Sequence, residues 1–512
     1  MFLGLDSSTQ SLSAVIIDTD TGTIAHEDSV NFGAELPHYG SPSGFIPGGV
    51  AGEVHADPRM WIEALDLLLS RVGKAFDLSQ VTAIACSGQQ HGSVYLDDSF
   101  SDRLAALDPA QPLVDQLAPA LTRATSPIWM DTSTGEDCAA IAASLGGNEE
   151  VCRRSGSVAV ERFTGPQIRR FHRLDPAGYE RTRIIHLVSS FIGSILAGKN
   201  IAIDHGDGAG MNLLNLHSLD WDQDLLDATA PGLRQRLPLP AAASSVAGEL
   251  APCFVKKFGF SDLCVVALST GDNPSSLVGM GATSPGTCVI SLGTSDTFFA
   301  AMSGAVTDPN GFGHVFGNPA GGFMSLICFR NGSLSREALR DELGLSWADF
   351  DESGLSATPA GNKGQVMLPF YGPEITPRLD FTGPVRNFPV DAPSAVQVRA
   401  LLEGQFLNMR LHSQWIGEKP TLIRLTGGAS KNDGIARLIA NIFQAPVERF
   451  AVANGAALGA AIRAAHACGA DLASLTAAFC RPAENSRIEP DTSLAATYDA
   501  ALGHFQALLA DH

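Results

Sequence analysis

Apolar and polar positions change period along this chain, and the changes mark its elements. Short apolar runs at Phe2 to Asp6, Leu12 to Asp18 and Thr23 to Phe32 predict three strands. Ser7 to Gln10 and Asp20-Thr21-Gly22 supply turn chemistry between them, so the opening reads as a β-meander and not as a strand–helix unit. Gly- and Pro-rich sequence from Pro37 to Gly52 reads as loop. From Pro58 to Lys74 the apolar positions take helical spacing, with Trp61, Leu65, Leu68 and Val72 on one face. Val81 to Cys86 then predicts a buried strand that runs into the turn Ser87-Gly88-Gln89-Gln90-His91-Gly92.

A related order returns later. Leu263 to Leu268 reads as a strand and Ser269 to Asn273 as a turn, followed by a helix with Pro274 in its first turn and Asn273 as its cap. Cys288 to Leu292 and Thr297 to Ala301 read as strands flanking Gly293-Thr294-Ser295-Asp296. Thr421 to Leu425 is a strand, Thr426-Gly427-Gly428-Ala429-Ser430 a turn, and Ile435 to Phe443 and Ala456 to Ala467 are helices. Each half thus holds a strand, a polar turn and a strand. The pattern predicts an α/β protein of two related domains, residues 1–245 and 246–512, with a cleft between them. The boundary is placed at Ser244 to Glu249, after the Pro-rich segment Pro231 to Pro240. No short-period repeat is visible, which argues against a solenoid.

Composition narrows the partners. Hydrophobic residues make up 45% and charged residues 17% of 512, a globular balance. The formal net charge of −20 opposes nucleic acid and anionic membrane as partners. A small polyphosphate is still accommodated, because a few backbone N–H groups and one cation outweigh a distant field. Nine cysteines contain no C-x-x-C pair, which argues against a zinc ribbon or a dithiol motif and for free thiols in a reducing compartment. The N-terminus lacks a cationic leader, and no run approaches the ~18 apolar residues of a membrane span. The cytoplasm is the expected location.

The two polar turns are the first candidates for chemistry. Ser8 and Thr9 in one half, and Gly293, Thr294 and Ser295 in the other, offer small donors that can converge on a phosphate. Ordinary β-turns use the same residues. No G-x-x-x-x-G-K-[ST] string is present, so a P-loop is not the device. Asp6 ends an apolar strand, where a carboxylate needs a partner. It reads as a ligand, through water, of Mg²⁺ on ATP, or as a cap on its own turn. Asp272 follows a strand end at the start of a helix. There it can take a proton from an attacking hydroxyl, or merely favour the helix dipole. His91, with Gln90 beside it, suits hydrogen bonding to hydroxyls or a structural role. Arg162 alone reads as a surface ion pair. Gly427-Gly428 either lets an adenosine lie against the backbone or makes an αL turn.

Together these strings resemble the FGGY family of carbohydrate kinases, within the sugar-kinase, actin and heat-shock ATPase superfamily. The strings are Asp6-Ser7-Ser8-Thr9-Gln10, Ser87 to Ser93, Trp129-Met130-Asp131 and Glu161-Arg162-Phe163-Thr164-Gly165 in the first half. Thr270-Gly271-Asp272-Asn273-Pro274, Ser291 to Asp296 and Thr426 to Ser430 follow in the second. The resemblance spans nearly the whole chain. It implies an RNase H-like core in each domain, with ATP and sugar meeting in the cleft. Asp272 is then the catalytic base, and His91, Arg162, Asp272, Asn273 and Gln90 are the sugar contacts. Gly427, Gly428 and Asn432 are adenosine contacts with Trp347 as neighbour, and Ser8, Thr9, Gly293, Thr294 and Ser295 are the phosphate loops. The reaction implied moves the γ-phosphate of ATP to the C5 hydroxyl of D-xylulose. The Gln89-Gln90-His91 turn departs from the bacterial form, which has Met before the His, and points to an animal-like branch. Another pentulose or a polyol as substrate, or an actin- or chaperone-like ATPase, stays open. Dimers are common in the family, so a homodimer is compatible with the resemblance, but the sequence itself does not report the oligomeric state.

Overall fold

The opening apolar runs form the meander that their spacing predicts. Strands Phe2–Ser7, Ser11–Asp18 and Thr23–Asn31 pair antiparallel in sequence order. The computed structural model describes residues 1–381, 383–450 and 454–512. Its chain divides into two compact units. One comprises Met1–Gly281, Val315–Met324 and Ala453–Arg481, and the other Ala282–His314, Ser325–Val452 and Pro482–His512.

In the first unit, Phe2–Ser7 also pairs in parallel with Ala83–Gly88, which pairs in parallel with Val265–Ala267. Every residue of Phe2–Ser7 is buried, because helices cover both faces of the strand. Leu3 and Leu5 share a core with Trp61, Leu65 and Leu68 of helix Pro58–Ala75. The intervening Gly4 meets the helix Gly455–Ala467, and a Cβ there would fall 1.9 Å from the Ala457 carbonyl oxygen. That late helix also packs on Asp272–Gly279, again through glycine. A Cβ on Gly459 would lie 1.9 Å from the Ser275 carbonyl, and one on Gly279 1.9 Å from that of Gly455.

Three stretches that a partition at residue 245 assigns to the second domain therefore belong to the first unit: those up to Gly281, Val315–Met324 and Ala453–Arg481. Strand Val246–Glu249 pairs with Val265–Ala267 and so extends the first sheet, bringing residues up to 281 into the first unit. Gly455–Ala467 returns to that unit because its glycines permit backbone-to-backbone packing. We expect Gly459→Ala to force these helices apart and to cost about 1–3 kcal/mol, the usual penalty of overpacking. A urea unfolding midpoint checks it, and an unchanged midpoint contradicts the packing described.

The second unit repeats the scheme. Thr287–Leu292 is antiparallel to Asp296–Met302 and parallel to Leu422–Gly427, which is parallel to Val447–Arg449. In each sheet the hairpin turn and the end of the parallel neighbour therefore emerge at the same edge. In the first unit these are 8–10 and the segment after Gly88, and in the second 293–295 and the segment after Gly427. Among the described residues no helix is long and apolar enough to cross a membrane.

Candidate functional site

Asp272 is the first residue of the helix Asp272–Gly279, and Gly271, in extended conformation, is its cap. The expected cap, Asn273, lies inside the helix and serves the carboxylate instead. Its backbone N–H donates to Asp272 Oδ1 at 2.8 Å and its Nδ2 to the same atom at 3.1 Å, with the Gln90 N–H at 3.4 Å. Gln90 Oε1 in turn accepts from Asn273 Nδ2 at 2.9 Å. One oxygen is thus fixed by three donors, while Oδ2 has no partner among the described residues. The residue is only partly exposed. Burial, and then the charge of Asp6, push its carboxyl up to about 7. A carboxylate held on one side and open on the other, titrating near neutrality, is equipped to accept a proton.

Asp6 occupies the strand end that its apolar neighbours predict. Its Oδ1 accepts from Ser87 Oγ at 2.7 Å, and burial raises its carboxyl to about 6. Asp6 and Asp272 oppose each other's ionisation, and among the described residues no cation bonds to either. Such a pair fits a divalent cation, which lowers the cost of both charges.

His91 projects from the turn after Ala83–Gly88 with φ of 71°, a left-handed conformation uncommon outside glycine. Its Nδ1 donates to the Gly210 carbonyl at 2.7 Å, so the proton sits there and Nε2 is an acceptor. Burial, then the Arg162 charge, lower the ring to about 3 and keep it neutral. The ring stacks on Phe163 at 4.1 Å and 19°. The Arg162 guanidinium lies 5.7 Å from the centre of the same Phe163 ring. His91, Arg162, Gln90, Asn273 and Asp272 thus lie in one unit, whereas the partition at residue 245 put Asp272 and Asn273 in the other domain. Among the described residues, the Gln90 Nε2 and both polar atoms of the Gln89 amide are buried without hydrogen-bond partners.

The first polar turn belongs to the same unit. The Ser8 hydroxyl is engaged locally, donating to the Ser11 carbonyl at 3.0 Å. Thr9 differs. The indole of Trp129 donates to Thr9 Oγ1 at 2.8 Å, and an indole N–H can only donate. The Thr9 hydroxyl therefore keeps its own proton to donate elsewhere. Sequence reading missed this contact, and it also missed the Gly210 carbonyl and the Phe163 stack, each brought in by distant segments.

In the second unit Thr294 and Ser295 are exposed at the tip of their turn. Gly427, at φ of 89°, closes against Leu292, where a Cβ would come within 2.3 Å of the carbonyl oxygen. Gly428 by contrast has open space around its missing side chain, and presents bare backbone. Asn432 caps the helix Asp433–Phe443, its Oδ1 accepting from the N–H groups of Gly434 and Ile435 at 2.9 and 3.1 Å. Trp347 is 44% exposed, with the Arg340 guanidinium 4.4 Å from its ring centre.

Comparison with known proteins shows the family of the chain. Residues 112–279 match the N-terminal domain, and residues 288–468 the C-terminal domain, of the FGGY family of carbohydrate kinases. The chain is 38% identical to the xylulose kinase of Mus musculus over 518 residues, covering 99% of this chain and 93% of that one. It is 40% identical to xylulose kinase 2 of Arabidopsis thaliana over 489 residues, covering 91% and 87%. Among solved structures it is similar to a xyloylose kinase from Brucella ovis, with a TM-score of 0.81 and 24% identity over 100% of this chain and 99% of that one. A glycerol kinase from Plasmodium falciparum gives 0.79 and 16% over 99% and 97%. These structural likenesses speak to the fold.

Proposed function

The chain belongs to the FGGY family of carbohydrate kinases, and we propose that it phosphorylates D-xylulose at the C5 hydroxyl with ATP, giving D-xylulose 5-phosphate and ADP. The observation that carries this reading is the half-satisfied Asp272 carboxylate beside a neutral, acceptor-bearing His91. The relatives that match nearly the whole chain, named as xylulose kinases, support the choice of sugar.

In this reading His91 Nε2 accepts from a sugar hydroxyl, Arg162 and Gln90 Nε2 supply donors, Asn273 presents its Oδ1 while its amide hydrogens hold Asp272 and Gln90, and the open Asp272 Oδ2 receives the C5 hydroxyl proton. As that proton moves, the C5 oxygen attacks the γ-phosphorus and the bond to the β-phosphate oxygen breaks, so ADP leaves with the electron pair. Thr9 on one turn, and Gly293, Thr294 and Ser295 on the other, would donate to phosphate oxygens, while Ser8, whose N–H and hydroxyl both bond the Ser11 carbonyl, shapes its turn. Gly427 and Gly428 accept the adenosine against bare backbone, with Asn432 and Trp347 beside it. Mg²⁺, which Asp6 would hold through water, supplies charge neutralisation on the phosphates.

Because the Asp272 carboxyl sits at about 7 in the ligand-free protein, kcat/KM for the sugar should rise with pH through that region and then level. A profile flat between pH 5.5 and 8 would remove Asp272 as the base. The substrate is tested by coupled ADP release with D-xylulose against other ketoses and polyols, and by NMR of the product. The reading requires the highest kcat/KM for D-xylulose, with phosphate on C5. ADP release indifferent to every sugar would favour a nucleotide-driven ATPase.

A further inference from the structure

The exposed turn at 293–295 stands on a buried charge. Asp296, paired across the hairpin with Leu292, accepts from both terminal nitrogens of Arg336, Nη1 to Oδ2 and Nη2 to Oδ1, at 3.2 Å each. The two side chains are only 2% and 3% exposed. Arg336 Nη1 also donates to Gln405 Oε1 at 3.0 Å, and Gln405 Nε2 donates to the carbonyls of Asn331 at 2.7 Å and Gly332 at 2.9 Å. Gly332 is pressed against the turn, since a Cβ there would lie 2.7 Å from both the Thr294 carbonyl oxygen and Asp296 Oδ1. The next N–H, of Ser333, donates to the Gly293 carbonyl at 2.9 Å.

Two helices thus grip one turn: Ser333–Glu342, which carries Arg336, and Ser394–His412, which carries Gln405. Stability alone is a weak reason for such an arrangement, because desolvation offsets most of what a buried ion pair gains and an apolar pair of similar volume often serves as well. Geometry is the stronger reason. The hydroxyls of Thr294 and Ser295 take no partner among the described residues, and the backbone that carries them rests on the Leu292–Asp296 pairing, the Ser333 N–H on Gly293 and the side-chain network below. A turn that must order itself on binding loses affinity for that ordering, and a turn already held does not.

We propose that Asp296, Arg336 and Gln405 are positioning residues that hold the turn 293–295 in its phosphate-receiving shape before ATP arrives. The inference rests on reading this turn as the seat of ATP phosphates, and it concerns nucleotide affinity and not sugar recognition. The experiment is calorimetric titration of the full-length protein with MgATP and, separately, with D-xylulose, for Asp296→Asn, Gln405→Met and the double variant Asp296→Leu/Arg336→Met. MgATP should bind about tenfold or more weakly to each variant, while D-xylulose binding stays within about twofold of the parent. The double variant should also melt near the parent temperature while keeping weak MgATP binding, which separates positioning from stability. Should Asp296→Asn fail to fold, Gln405→Met, which keeps the ion pair, gives the answer. Parental MgATP affinity in any folded variant, or equal losses for both ligands, overturns the inference. A parent that binds MgATP yet phosphorylates no sugar overturns the proposed function and leaves this one standing.

Discussion

Asp272→Asn should lower turnover by about 10² to 10⁴, the usual contribution of a positioned base, and should make the ligand-free protein more stable at pH 8. The two effects share one cause. Asparagine keeps the shape and the oxygen that accepts from Asn273 and Gln90, but it cannot take a proton. The folded protein holds the Asp272 carboxyl at about 7 against an ordinary 3.8, so the folded state binds that proton more tightly than the unfolded chain does. Stability conferred by the neutral carboxyl is therefore lost as pH rises from near the ordinary value through about 7. Asparagine has no charge to bury, so the variant's advantage should be full above neutrality and should vanish near pH 4 and below. Melting temperatures at pH 4 and pH 8, taken beside turnover, test both halves. Near-parental turnover removes the residue from its role, and equal melting temperatures at pH 8 remove the strain ascribed to it.

The second large effect is on the sugar. His91→Ala should raise the KM for D-xylulose by about 10- to 100-fold, and leave the KM for ATP nearly unchanged. The ring is fixed on three sides: Nδ1 by the Gly210 carbonyl, one face by Phe163, and the backbone by the left-handed turn that projects it. Only Nε2 remains to act, and a neutral ring at that position accepts without repelling Arg162. Losing it strips one oriented hydrogen bond from the sugar and leaves Arg162 without its neutral neighbour. Initial rates with each substrate varied in turn check this. A parallel rise in both KM values would show a general distortion of the unit.

What could be read in the sequence follows physical range. The meander, the turn residues and the strand-end carboxylates at Asp6 and Asp272 are local matters of period and turn chemistry, and they stand where the pattern puts them. The placement of Val246–Glu249 and Gly455–Ala467 depends on pairing with Val265–Ala267 and on close glycine contacts with Phe2–Ser7 and Asp272–Gly279, which no local window contains. Side-chain economy was equally hidden. Asn432 and Ser8 look like ligand donors in sequence, yet each has much of its hydrogen-bonding capacity engaged by its own cap or turn. Asp296 looks like one more polar turn residue, and only its distant partner Arg336 shows why a carboxylate is buried there. The donors that orient Asp272 are a middle case. Asn273 is adjacent and legible, whereas Gln90 arrives from another strand end.

The most direct measurement is ADP release by the purified protein with saturating MgATP, in the presence and absence of D-xylulose, run in parallel on the parent and on Asp272→Asn. A sugar-accepting site with this carboxylate as its base requires release that depends strongly on the sugar in the parent and is almost abolished in the variant, with both ligands still bound. Equal release with and without sugar, or an undiminished response in the variant, would contradict it.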